Sequence, residues 1–318
     1  MKAIRVHAFG GPEVLALETV AELKPGPGEV LFQIHATGVN PVETYVRSGK
    51  YANQPALPYT PGTDAGGVVQ AVGPGVTRFR PGDRVYSTGS LSGTYAEAAL
   101  CTAEQLWPLP EETSFAQGAA LSIPYSTAYK ALFARAEASA GQVVLVHGAT
   151  GGVGLAAVQF ASAAGLRVLG TGGTSSGREL AQHEGAELMF DHRSPTYPEE
   201  ILAATGGRGV DIIIEMLANV NLARDLDLLA KYGRIVVVGS RGKVEIDPRG
   251  LMRTEGQILA VLSSTPEERA TAQAAIRAGL KAKTLRPIIA RDLPLSAAAV
   301  AHREVLESKA PGKIVLTP

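Results

Sequence analysis

The chain has 318 residues, 45% of them hydrophobic, which suits two globular domains with sizeable cores and excludes a tail or a linker. Thirty Lys plus Arg balance thirty Asp plus Glu, so no basic field exists to gather nucleic acid or an anionic membrane, and any anion site has to be local. A single cysteine, Cys101, excludes an intramolecular disulfide and a cysteine-rich metal site.

The amino-terminal segment MKAIRVHAFGGPEV carries neither a continuous apolar run nor a small-residue cleavage site, and no stretch of 18 apolar residues follows. A cytoplasmic protein without a membrane span is expected. Residues 1–117 read as short strands, among them AIRVHAF, EVLFQIHATG, AGGVVQAVG and TYAEAAL, separated by Gly and Pro turns such as KPGPGE and RPGD. That pattern predicts a partly open β-barrel. Cys101, at the end of YAEAAL and far from any histidine in sequence, reads as a packed residue and not as a nucleophile.

From residue 118 the rhythm changes to alternating strand and helix: QVVLVH, a helix to 165, LRVLGT, a helix near RELAQHEG, AELMF, VDIIIEML, a helix near LARDLDLLAK, RIVVVGS and QILAVLS. Such alternation predicts parallel strands with right-handed crossovers and ligands at the strands' carboxyl ends. The segment VVLVHGATGGVG (143–154) is the most informative, since an apolar strand breaks into a glycine turn and leads directly into the small-residue helix LAAVQFASAAG. This is the phosphate-cradling end of a dinucleotide site: Gly151 and Gly152 allow a sharp turn close to a pyrophosphate, and Gly154 allows the helix to pack on the strand. An NAD site usually has an acidic residue about 20 positions further on. Here that position is Gly172, followed by Gly173, Thr174, Ser175 and Ser176, with Arg178 nearby, which favours NADP(H) over NAD(H).

Beyond Pro266 two helices and the strand KIVLTP return to complete the first domain, giving expected boundaries of 1–117 with 263–318 for the barrel and 118–262 for the nucleotide domain. Cofactor and small substrate are then expected to meet in the cleft between them. The edge strand 257–262 is apolar, and its pairing with a second copy predicts a homodimer.

Read together, ATGVNPVETYVRSGKY (36–51), PGTDAGGVV (61–69), VGPGVTRFRPGDRVY (72–86), SIPYSTAYKAL (122–132), HGATGGVGLAAVQ (147–159) and GKIVLTP closely resemble the quinone oxidoreductase (zeta-crystallin-like) family of the medium-chain dehydrogenase/reductase superfamily. The resemblance implies an α/β protein, a GroES-like partly open β-barrel domain plus a Rossmann doubly wound parallel sheet. Where the superfamily's zinc alcohol dehydrogenases place Cys, His and Cys, this chain has Asn40, Thr63 and Ile123, and Ile123 offers no ligand atom. No metal is therefore expected. The other histidines, His7, His35, His147, His183 and His302, are scattered without metal spacing and read as structural.

The resemblance further implies that Asn40, Tyr45 and Tyr51 line the substrate cleft, with Thr63 at the vacated zinc position. Asn40 is expected to donate its amide to a developing oxyanion, and a Tyr hydroxyl to donate a hydrogen bond or a proton. For NADPH it implies Thr127 and Ala149, Thr150, Gly151, Gly152, Val153 and Gly154 near the phosphates, and Ser240 and Arg241 near the nicotinamide. Lys309 is placed at the adenosine phosphate, and His192 where the family often stacks a Tyr near the adenine. Gly177 stands where the family often has a Lys, which moves the anionic duty to Arg178 or leaves it unfilled. The implied activity is reduction of a quinone by NADPH. The rival is reduction of a 2-alkenal or enone, and a third reading is a crystallin-like or RNA-binding protein that binds NADPH without catalytic duty, against which the neutral charge balance argues.

Overall fold

The computed structural model describes residues 1–307 and 311–318, in two compact units, 1–123 with 287–318 and 124–286. The first unit is built on a seven-stranded sheet in which Ile289–Pro294, Lys313–Thr317, Glu29–Val39, Ala65–Val72, Arg84–Ser87 and Leu106–Pro108 are successive neighbours. Glu29–Val39, eleven residues long, is the strand that bends it. It pairs antiparallel with Ala65–Val72, Ala98–Thr102 and Lys313–Thr317, and its register with Ala65–Val72 slips at Leu31/Phe32 and Ile34/Ala36. Such bulges add twist and let one sheet curl into a partly open barrel. Val30, Phe32, Val69, Val85, Cys101 and Leu106 fill the interior. The Cys101 thiol is pushed up to about 12 by burial, which keeps it a packed, unreactive group as its sequence context suggests.

Within residues 1–117, read as short strands, a helix stands beside the expected substrate residues. Pro41–Arg47 is helical, with Pro41 in its first turn and the Asn40 backbone N–H donated to Glu43 Oε2 at 2.8 Å. Both are helix-start signals, yet seven residues are too few to show a period against the surrounding strands.

The second unit is a six-stranded parallel sheet in the spatial order Leu188–Phe190, Arg167–Thr171, Val143–Val146, Val210–Glu215, Leu229–Val237 and Gln257–Ala260. Numbered by chain position the order is 3-2-1-4-5-6, the doubly wound arrangement, and its direction reverses between Val143–Val146 and Val210–Glu215. Val144, Leu145, Val146, Ile212, Ile213 and Ile214 are all wholly buried, as strands covered on both faces require. A helix absent from the sequence reading, Tyr197–Ala204, links the third and fourth strands.

The helix Pro266–Lys281 belongs with this unit, so the second boundary lies at 286/287, where the sequence reading put it at 262/263. Its contacts explain this: Glu268 pairs with Lys130 Nζ at 2.7 Å, and Gln273 Nε2 donates to Ser126 Oγ at 2.9 Å. These partners lie over 130 residues apart in sequence, beyond the reach of composition or periodicity. The first boundary, at 123/124, falls inside the helix Ser122–Tyr129.

Candidate active site

In the second unit the strand Val143–Val146 ends at His147, and the chain turns through Gly148, at φ +59°, into the helix Gly152–Ala163. The turn is held by Ala149 N donating to Thr171 O at 2.9 Å and Gly151 N donating to Gly148 O at 3.1 Å. A Cβ on Gly154 would lie 2.2 Å from the Gly148 carbonyl oxygen and 2.7 Å from Ala149 Cα, so only glycine lets helix and turn come this close. Gly151, at the N-cap, supplies no side-chain acceptor and no acidic residue stands in the first turn. The helix thus presents backbone N–H groups and the positive end of its dipole without an internal anion, which fits a pyrophosphate.

The adenosine side of such a site is the end of the second strand, Arg167–Thr171. Gly172 and Gly173 follow, then Thr174, whose Oγ1 caps the helix Ser175–His183 by accepting from Gly177 N at 3.2 Å. Ser175 and Ser176 are exposed in the first turn. Arg178 is engaged inside the protein: Nη1 donates to Gly172 O at 3.0 Å and pairs with Asp191 Oδ2 at 3.0 Å. His192 and Arg193 approach the backbone of Gly173, where an added methyl would lie 2.9 Å from His192 Nε2 and 3.2 Å from Arg193 Nε and Nη2. Partial desolvation lowers the His192 pKa, so its ring is neutral near pH 7. Arg193 carries no motif and went unnoticed in the sequence. A surface depression of about 490 Å³ includes His192 and Arg193 in its lining but none of the glycine turn.

On the other side of the switch point, Arg241 N donates to Asn219 Oδ1 at 2.8 Å and Ser240 Oγ to Gly242 O at 2.9 Å, so the loop expected near the nicotinamide is pinned to the start of the helix Ala218–Leu228. Thr127 lies half-buried on Ser122–Tyr129. Beneath the turn is a buried group: His147 Nε2 lies 2.9 Å from Asp225 Oδ1 and 3.7 Å from Glu215 Oε2, and its Nδ1 3.3 Å from Thr171 Oγ1, which also accepts from Gly148 N at 3.2 Å. Burial alone would lower the imidazole pKa, but the hydrogen bond to Asp225 and the two carboxylate charges raise it, while burial raises Glu215. His147 therefore ties three strand ends to the glycine turn. The sequence scan for metal spacing passed over it, because its partners lie 68 and 78 residues further on.

In the first unit the expected substrate residues meet a buried polar line. Asn40 Nδ2 donates to Asp64 Oδ2 at 3.0 Å and to Glu43 Oε1 at 3.3 Å, and Asn40 Oδ1 accepts from Lys313 Nζ. Lys313 Nζ is also 3.3 Å from Asp64 Oδ2, and the Ile123 N–H donates to the same carboxylate. Glu43 Oε2 accepts from Tyr95 OH at 2.7 Å, Tyr95 OH lies 3.2 Å from His302 Nε2, and His302 Nδ1 is 3.4 Å from Arg47 Nη1. Because Arg47 is only a donor, His302 accepts on Nδ1 and carries its proton on Nε2. Burial, holding that imidazole down to about 3, keeps it neutral. Burial pushes Glu43 up to about 7, outweighing Lys313. Asn40 was expected to offer its amide to substrate, but both amide hydrogens are directed at carboxylates, and it acts as the joint of this line. Glu43, Asp64 and Lys313 were not singled out in the sequence, although the first two lie beside residues that were. Tyr45 and Tyr51 are half-buried, at either end of the segment that closes the helix Pro41–Arg47. Half-buried Thr63 receives Ser87 Oγ on its carbonyl at 2.8 Å.

The comparisons with known proteins agree with this division. Residues 26–111 match the Alcohol dehydrogenase GroES-like domain model and 152–278 the Zinc-binding dehydrogenase model. The human Quinone oxidoreductase is 50% identical over 320 residues, covering 99% of this chain and 97% of its own. The chain belongs to the quinone oxidoreductase family of medium-chain dehydrogenases/reductases. Among solved structures, the Escherichia coli quinone oxidoreductase complexed with NADPH gives a TM-score of 0.90 at 31% identity, and a NAD-dependent alcohol dehydrogenase gives 0.95 at 30%, each covering all of both chains.

Of the three positions that the resemblance gives to the vacated zinc site, Asn40 through its amide and Ile123 through its backbone N–H both donate to Asp64, which is next in sequence to the third, Thr63. An amide locked to two carboxylates, a hydroxyl and an aliphatic side chain do not form a zinc ligand set, despite the name of the matching model. Lys309 lies outside the described residues. Among those described, no helix is long and apolar enough to cross a membrane.

Proposed function

We propose that this protein reduces quinones with NADPH and without zinc. The observation that carries the reading is the 50% identity over 99% of the chain to relatives called Quinone oxidoreductase. The glycine turn and its uncapped helix end supply a pyrophosphate seat in support. NADPH brings the hydride. The chain's residues have to bind and orient it, polarise the acceptor and keep the site dry.

With the Asn40 amide committed to Asp64 and Glu43, the groups proposed to meet the acceptor oxygen are the hydroxyls of Tyr45, Tyr51 and Thr63, which can donate a hydrogen bond to an oxygen gaining charge. Asn40 then acts by holding the Pro41–Arg47 helix on which Tyr45 sits. The nicotinamide-side loop Ser240–Arg241, braced by Asn219, is proposed to orient the reactive ring. A cytoplasmic homodimer paired through the edge strand Gln257–Ala260 completes the reading: that strand has a neighbour on one side, and Leu262 just beyond it is 84% exposed.

The test is loss of reduced-nicotinamide absorbance in anaerobic buffer with a para-quinone and, separately, with a 2-alkenal. NADPH is expected to be consumed rapidly with the quinone and slowly with the alkenal. Turnover with the alkenal alone would transfer the protein to conjugated-carbonyl reduction, and none with either, given tight NADPH binding, would remove the quinone assignment.

A further inference from the structure

We infer that Arg193 is the residue by which this chain recognises the adenosine 2′-phosphate and so chooses NADPH over NADH, while Arg178 is a brace that does not read the phosphate. The inference rests on the nucleotide reading above and names a specificity residue within it.

Three cationic or potentially cationic side chains gather where the second strand ends. Arg178 has both its partners inside the protein, the Gly172 carbonyl and Asp191. A guanidinium already pairing a carboxylate offers little net charge to a second anion, and moving it would release the Gly172 carbonyl and leave Asp191 facing the phosphate. His192 is held neutral by desolvation, so it can stack or donate one hydrogen bond but brings no charge. Arg193 differs from both. Its backbone N–H donates to Asp191 Oδ1 at 2.9 Å, which fixes where the residue stands. Among the described residues its guanidinium has no hydrogen-bond or ion-pair partner.

Its place is the relevant one. Arg193 Nε and Nη2 both lie 3.2 Å from where a Cβ of Gly173 would be, so the flat edge of the fork lies against the bare backbone that follows the second strand. In doubly wound nucleotide domains the adenosine ribose sits at that strand end. Gly173 is therefore part of the device: any side chain there would meet the guanidinium and the His192 ring. The same edge, two N–H donors in one plane, matches two oxygens of a phosphate, and the exposed Ser175 and Ser176 follow Gly173 by two and three residues. Asp191, the only carboxylate that these contacts bring to the strand end, pairs with Arg178 and accepts from the Arg193 backbone, so its charge is already matched, unlike that of an NAD-selecting acid.

The experiment is calorimetric titration of the full-length protein with 2′,5′-ADP and with 5′-AMP, for wild type, Arg193→Gln and Arg178→Gln. These ligands differ only in the 2′-phosphate and need no turnover. Wild type is expected to prefer 2′,5′-ADP. Arg193→Gln should weaken 2′,5′-ADP by about tenfold to a hundredfold and 5′-AMP by less than about twofold, with Arg193→Lys recovering part of the loss. Arg178→Gln should weaken both ligands together, since it loosens the strand end itself. An unchanged preference in Arg193→Gln, or a preference lost only in Arg178→Gln, overturns the assignment while leaving NADPH binding intact. Wild type that binds neither ligand, or binds both equally, overturns the NADPH reading and the assignment with it.

Discussion

Glu43 shows how a single buried carboxyl can set a pH dependence. Burial raises its pKa from 4.5 to about 7, against the pull of Lys313 and the donors on its oxygens. A carboxyl whose folded pKa is raised favours the folded state when protonated. That contribution is complete below about pH 4.5 and is lost as pH rises to about 7. The total is about 3 kcal/mol, from the size of the shift at 1.36 kcal/mol per unit. Glu43→Gln has no proton to lose, so its stability curve between pH 4.5 and 7.5 should be flatter than the wild type's by about that amount, whatever its absolute stability. Thermal melts in a pH series measure the difference, and parallel curves would show that Glu43 stays ionised throughout. At this scale the sequence was legible where chemistry is carried by one residue type in a motif, as with Gly154, and silent where it depends on a partner. His147 is an ordinary histidine until Asp225 and Glu215 fold against it. Asn40 has the chemistry expected of it, but the neighbours that claim its amide cannot be counted along a chain.

The helix Gly152–Ala163 illustrates the scale of the element. Its small residues were read as close packing on the sheet, and seven of its eight buried positions are apolar or glycine. The eighth, Gln159, uses every hydrogen-bonding site it has. Its Nε2 donates to Glu184 Oε2 at 2.7 Å and Arg286 O at 2.9 Å, and its Oε1 accepts from Tyr125 OH at 2.8 Å and Arg286 N at 3.0 Å. One amide thereby joins the glycine-turn helix to the helix that follows the second strand and to the segment closing the unit. Gln159→Met, nearly equal in volume, removes all four bonds at once, taking from the buried Tyr125 hydroxyl and the Arg286 backbone the partners given above and from the Glu184 carboxylate one of its donors beside Arg286, and should cost about 3 kcal/mol. A fall of several degrees in melting temperature is the expected result, and an unchanged melt would mean that water replaces the amide at no cost. Most strands and the helices of nine residues or more could be placed from periodicity, because alternation and small-residue runs are local. The helices Pro41–Arg47, Phe115–Gly118, Ser122–Tyr129, Tyr197–Ala204 and Pro248–Thr254 escaped, since each is about two turns long or shorter.

At the scale of the molecule, both the barrel-like sheet and the 3-2-1-4-5-6 parallel sheet follow from patterns visible in the chain, and family membership agrees with them. The boundary at 286/287 was not visible, because the helix Pro266–Lys281 is claimed by side-chain contacts and not by any change in composition. The proposed dimer belongs to this scale too. Light scattering at micromolar protein should give twice the chain mass of 33.1 kDa, and Leu262→Glu, a charge beside an edge strand, should shift it toward the monomer. A wild-type mass of one chain would reject strand pairing between copies.

Lys313, the cation that satisfies Asn40 and Asp64, sits on a strand made after the entire 124–286 unit. The nucleotide-binding unit is continuous in sequence and has all its strands before that moment. The barrel has to wait with Glu29–Val39 lacking one neighbour and two buried carboxylates lacking their counter-charge. Synthesis thus imposes an order on the parts: the inserted unit is complete first, and the host is sealed by a strand of five residues, Lys313–Thr317. A premature stop at residue 312 would spare every residue of the nucleotide seat and still leave the other unit unable to close.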